Sequence, residues 1–117
     1  MIKAIVTRND KFRQYSLDVK GHAGFAEKGK DIVCAGVSAL TMAAYYTAYS
    51  FAEAGHCQIA RCKVGDGGEF HMTLEAAEGM GEALVMTIFS TVVHGLEHIA
   101  KLYPAHVEID VVERGKK

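Results

Sequence analysis

A chain of 117 residues, half of them apolar and 23% charged, has enough material for one buried core and too little charge for wholesale disorder. Net charge is −1 with histidines neutral, and the basic residues are scattered apart from the terminal Arg114-Gly115-Lys116-Lys117, so a nucleic-acid surface is not expected. A membrane span is not expected either. Ile32 to Ala52 carries no formal charge and is long enough to cross a bilayer, but it holds Ser38, Thr41, Tyr45, Tyr46, Thr47, Tyr49 and Ser50 between Asp31 and Glu53, which suits a buried helix better.

In chain order, residues 2–8 are rich in β-branched types, Asn9-Asp10-Lys11 supplies turn chemistry, and residues 12–20 alternate with Tyr15, Leu17 and Val19 on one face. This predicts a β-hairpin that ends at Gly21. Residues 21–30 hold Gly21, Gly24 and Gly29 and read as a glycine-rich loop. Asp31 is placed to cap a helix running to about Ala54, with Gly55 as its C′ residue. Residues 56–64 read as a less regular strand, and Gly65-Asp66-Gly67-Gly68 as a turn. Residues 69–75 alternate cleanly, with Phe70, Met72 and Leu74 inward and Glu69, His71, Thr73 and Glu75 outward. A second helix is predicted from about Met80 to Leu102, its apolar face including Leu84, Ile88, Val92 and Ile99, with Pro104 after its end. A last strand covers 106–112, with Val107, Ile109 and Val111 on one face. The expected fold is a single α+β domain over residues 1–117, in the order ββαββαβ, with a largely antiparallel sheet against two long helices. The two ββα units hint at a duplication of shape.

Chemistry concentrates in residues 21–40, GHAGFAEKGKDIVCAGVSAL. His22 stands at the entrance to the loop. If Asp31 is the cap, Cys34 is the third helical residue, where free N–H groups and the helix dipole favour a thiolate. His22 can take the thiol proton and return it to a leaving amine. The N–H groups near Val33 and Cys34 offer a place for a tetrahedral oxyanion. Ser38 lies one turn after Cys34 on the same face and can hydrogen-bond near the thiol, and Asp31 can orient His22. Each residue also has a plainer role: a lone cysteine in an apolar helix packs as a small hydrophobe, Asp31 need only cap, and a serine permits close packing.

The same stretch resembles the signature of the ribosomal-processing cysteine protease (Prp) family of small bacterial proteins. A Gly-His pair, a glycine-rich loop, Asp-Ile-Val-Cys, a small residue and Val-Ser-Ala-Leu match at Gly21, His22, Asp31, Ile32, Val33, Cys34, Val37, Ser38, Ala39 and Leu40. The resemblance implies a Cys–His endopeptidase with Cys34 as nucleophile, His22 as base, and Gly21, Asp31 and Ser38 in support. The loop residues Gly24, Phe25 and Gly29 would move to admit substrate. That substrate would be the N-terminal extension of a large-subunit ribosomal protein, cut after an aromatic residue, and the enzyme a homodimer that needs no cofactor. Phe25, Tyr45, Tyr46 and Tyr49 become candidates for groove or dimer surface, with core packing as the plainer role of each.

Other readings compete. His94-Gly-Leu-Glu97-His98 matches the H-x-x-E-H pattern of inverted zinc proteases, with two histidines on one helix face and Glu97 as base. Its third ligand would have to come from Glu108, Asp110 or Glu113, on a predicted strand and tail, and two exposed histidines are the simpler account. A non-catalytic ribosome-assembly module that binds the unprocessed protein is a third class, against which the presence of both His22 and Cys34 argues. His56, His71 and His106 read as strand-surface residues, and Cys57 and Cys62 as buried structural thiols. The odd number of cysteines, the absence of a CxxC pair and the lack of a signal-peptide pattern after Met1 suggest reduced thiols in the cytoplasm.

Overall fold

The computed structural model describes residues 1–27, 29–65 and 69–115. Strand β1 (Ile2–Asn9) and β2 (Gln14–Lys20) form the first hairpin. Helix α1 (Ile32–Glu53) leads to β3 (Cys57–Val64) and β4 (Phe70–Ala76), then to α2 (Met80–Leu102) and β5 (Val107–Arg114). The element order and the α+β class are those expected from the sequence. The expected turn at Asp66, Gly67 and Gly68 lies outside the described residues.

The sheet order is β3-β4-β2-β1-β5. Three of its pairings are antiparallel, and β5 pairs parallel with β1, Ile2 opposite Val107. The parallel pair follows from the crossover: α2 must carry the chain back along the sheet before β5 begins. One face of the central strands is apolar. Ala4 and Val6, Leu17 and Val19, and Met72 and Leu74 point inward and join helix residues in one core. From α1 the core receives Val33, Val37, Thr41, Ala44 and Ala48, spaced as one helical stripe.

Three expectations shift. The first turn runs to Arg13, whose φ of 52° is left-handed, so β2 begins at Gln14 rather than 12 and Phe12 stays exposed. The buried stripe of α2 is Gly81, Val85, Ile88, Phe89, Val92 and Leu96, with Leu84 and Ile99 half-buried beside it. The reason is that α2 meets two partners. Phe89 packs against Tyr15 of the sheet, with ring centroids 5.8 Å apart, while Gly95 and Ile99 face α1. A Cβ on Gly95 would stand 2.8 Å from the Leu40 side chain, and one on Gly36 3.3 Å from Ile99 Cδ1, so glycine sets how closely the helices cross. Finally, Val107, Ile109 and Val111 do share a face of β5, but burial falls along the strand until Val111 is exposed, as on an edge strand. The irregularity expected of the third strand is a register shift between Ile59 and Arg61.

By length and composition α1 and α2 could each cross a membrane. In the fold each lays its buried stripe on the core.

The histidines taken as bare surface residues have partners. The register of β2 with β4 sets Asp18 opposite His71. His71 Nδ1 bonds Asp18, its Nε2 bonds Thr73 Oγ1 at 2.9 Å, and Thr73 bonds Ser16 at 2.8 Å. His56 packs edge-on against Phe51, with ring centroids 6.4 Å apart.

Candidate active site

Asp31 starts α1 with extended backbone (φ −84°, ψ 100°), and its Oδ1 accepts the Cys34 N–H at 3.0 Å. That is the cap expected from the sequence. Its second oxygen does something the sequence did not reveal: Oδ2 accepts the N–H groups of Phe25 at 3.1 Å and Ala26 at 3.4 Å. One carboxylate therefore ties the glycine-rich loop to the helix that follows it. The Cys34 N–H, then those of Ala26 and Phe25, hold the Asp31 carboxyl below its ordinary value. The Cys34 N–H is thus engaged, and of the two donors expected for an oxyanion only Val33 stays in play.

Cys34 is half-buried in the first turn of α1. Its sulfur accepts the backbone N–H of Ala23 at 3.4 Å. His22, the preceding residue, is exposed, and among the described residues no hydrogen bond joins its ring to the sulfur. The two side chains nevertheless line one cavity of about 650 Å³. Gly21, Gly24 and Gly29 border it from the loop, and Asp31, Val37, Ser38, Thr41 and Met42 from α1. Ile2, Val19 and Phe70 come from the sheet, and Val64, Gly65 and Glu69 from the β3–β4 hairpin. The cavity is open and mainly apolar, and Cys34, His22, Asp31 and Glu69 are the residues of its lining that carry titratable groups.

Gly21 has a structural requirement: its φ is +95°, and a Cβ there would sit 2.4 Å from the Met1 carbonyl oxygen. Ser38 is exposed at the cavity one turn after Cys34, and its carbonyl accepts the Thr41 hydroxyl at 3.0 Å. Phe25 belongs to the loop but does not line the cavity. Its ring stands edge-on to Tyr103 and His106, at centroid distances of 5.3 and 5.5 Å. His106, expected on a strand surface, sits just before β5 and bonds the Ala23 carbonyl through Nδ1 at 2.7 Å. No local pattern signals that contact, since 83 residues separate the partners. Nor did it point to Val64, Glu69 and Phe70, which reach the cavity only because β4 pairs with β2. The tyrosines form a cluster on α1: Tyr45 touches Tyr46, Tyr49 and Phe70, and Tyr46 and Tyr49 are exposed.

Cys34, Cys57 and Cys62 are free thiols, and burial pushes Cys57 and Cys62 up from the ordinary thiol value. His94, Glu97 and His98 lie exposed on α2, and among the described residues no three His, Cys, Asp or Glu side chains converge as metal ligands.

Comparison with known proteins adds to this geometry. Residues 1–108 match the family described as Cysteine protease Prp. A stretch of 44 residues is 46% identical to the ribosomal processing cysteine protease Prp of Bacillus subtilis, spanning 38% of this chain and 39% of that relative's length. The fold is similar to that of an essential ribosomal processing protease Prp from S. aureus in complex with a covalently linked product peptide. That likeness has a TM-score of 0.74 and 25% identity over 95% of this chain and 99% of the other. The S. aureus protease with a substrate peptide gives a TM-score of 0.64, also at 25% identity over 95% and 99% of the two chains.

Proposed function

The chain belongs to the cysteine protease Prp family, and from that premise we propose that it is an endopeptidase that removes a short N-terminal extension from a large-subunit ribosomal protein by Cys–His acyl transfer. The observation that carries this reading is the placing of Cys34 and His22 on the walls of one open, largely apolar cavity. An extended apolar peptide fits such a groove, and the S. aureus relative is known with a substrate peptide and with a covalently linked product peptide.

In the proposed reaction His22 takes the Cys34 thiol proton and the sulfur attacks the scissile carbonyl carbon. The tetrahedral oxyanion collapses, and the imidazolium gives its proton to the leaving amine. Water, deprotonated by His22, then hydrolyses the thioester and frees Cys34. His22 is exposed and the sulfur is bonded by the Ala23 N–H, so a turn of the His22 ring onto the sulfur precedes the first step. Apolar lining from Val19, Val37 and Phe70 suits the aromatic residue at the cleavage site.

The protein works in the cytoplasm in this reading, consistent with its three free thiols. It does so as a homodimer, for which the exposed Tyr46 and Tyr49 of α1 supply apolar surface. The test is cleavage of a peptide spanning such an extension. Wild type should cut at one bond, and Cys34→Ala and His22→Ala should stay folded and fail. Cleavage by Cys34→Ala at the wild-type rate would make the cysteine structural.

A further inference from the structure

We propose that His106 is a positioning residue for Cys34, acting through the backbone of Ala23; this rests on Cys34 being the nucleophile. Ala23 is held on three sides. Its methyl group is buried in the core, at 2% exposure. Its carbonyl meets His106 Nδ1 at 2.7 Å, and its N–H points at Cys34 Sγ from 3.4 Å. A carbonyl can only accept, so the Nδ1 atom of His106 carries the proton in this contact.

The His106 backbone is itself well held: its main-chain N–H donates to the Tyr103 carbonyl at 2.9 Å, and its carbonyl accepts the Ile2 N–H at 2.9 Å. The Phe25 ring closes over it, standing edge-on to both His106 and Tyr103. Phe25 is fixed in turn by its N–H bond to Asp31. The α2–β5 connection therefore holds the Ala23–Gly24 peptide, and through the buried Ala23 Cα it sets the adjoining His22–Ala23 peptide, whose N–H faces the sulfur.

Two consequences follow for the reaction. The Ala23 N–H donates to the sulfur and holds it in one rotamer facing the cavity. His22 is bonded directly to Ala23, so its backbone is a fixed pivot while its ring swings. Ala23 can contribute no side-chain chemistry, so its alignment depends on the groups that hold its two polar backbone atoms. Of these His106 is the one that can be altered without touching the cavity, since it does not line it.

The experiment compares wild type with His106→Ala, His106→Asn and His106→Gln. The Asn amide can place an N–H where Nδ1 stands, and the Gln amide is one carbon too long. Two readouts are taken on variants shown by melting to be folded: kcat and KM for the extension peptide, and the alkylation rate of Cys34 by iodoacetamide, followed by peptide mass mapping without substrate. Loss of one oriented hydrogen bond predicts that His106→Ala lowers kcat and Cys34 alkylation each by about five-fold or more, with KM within about two-fold. His106→Asn should recover most of both, and His106→Gln should not. An unchanged or faster alkylation in His106→Ala, or a rise confined to KM, would overturn the proposal and leave His106 as a loop anchor only. Alkylation needs no turnover, so it still decides the matter if the wild-type protein does not cut the peptide, an outcome that would instead count against the proposed substrate.

Discussion

The carboxylate of Asp31 accepts the backbone N–H of Cys34 at 3.0 Å, and with its other oxygen it holds the loop that carries His22. Cap and latch are one side chain. Asp31→Asn keeps one acceptor oxygen, so it should preserve the helix start but release the loop. Hydrogen exchange at the Phe25 and Ala26 amides should then quicken while that of Cys34 stays near wild type. Equal protection of all three amides in the variant would show that the second oxygen holds nothing.

The same contacts fix a pH dependence. Hydrogen bonds to the ionised form depress the folded-state value of Asp31. Its stabilising contribution is therefore complete above the unfolded carboxylate value and is lost as pH falls through the lower, folded one. The loop should stay latched through mildly acidic conditions and loosen only below the ordinary carboxylate range. An NMR titration following the Asp31 side-chain carbon and the Phe25 amide together should give one shared midpoint below the ordinary range. A midpoint at or above that range would contradict it.

The three thiols should react unequally. Cys57 is buried and Cys62 half-buried, and burial raises both thiols, which leaves them protonated at neutral pH. Cys34 opens on the cavity. Brief treatment with iodoacetamide at neutral pH should therefore label Cys34 first, with at least about a ten-fold lead expected because burial both shields the other two thiols and keeps them protonated. Labelling led by Cys57 or Cys62 would count against Cys34 as the reactive thiol.

Much of this was legible because it is local. Alternation of Tyr15, Leu17 and Val19, and of Phe70, Met72 and Leu74, names strands whose inner face the core then fills. Asp31 and Gly55 bracket α1 through capping chemistry that needs no partner elsewhere. What stayed hidden is non-local or strained. Arg13 takes a left-handed φ that its side chain does not advertise. Gly95 matters only because Leu40 faces it. His71 looked like a surface residue until the β2–β4 register set Asp18 beside it. His106 and Ala23 meet through the fold of the whole chain. The letters of H-x-x-E-H, by contrast, fall out of an exposed helix face with no third ligand beside them among the described residues.

Gly21 and Gly95 separate two kinds of close approach. At Gly21 a Cβ would stand 2.4 Å from the Met1 carbonyl oxygen, and φ is +95°. Backbone cannot yield there without moving β1, so Gly21→Ala should destabilise by about 1–3 kcal/mol and disturb the neighbouring His22. At Gly95 the obstacle is the tip of the Leu40 side chain at 2.8 Å. A side chain can turn aside, so Gly95→Ala should cost less, and Leu40→Ala should make it nearly neutral. A double-mutant cycle by urea denaturation therefore expects a coupling of about 0.5–3 kcal/mol between positions 40 and 95. Strict additivity at that pair would mean the helices part as rigid bodies when the methyl group is added. The lost burial would then reach the Val37 and Thr41 side of α1, where the cavity begins.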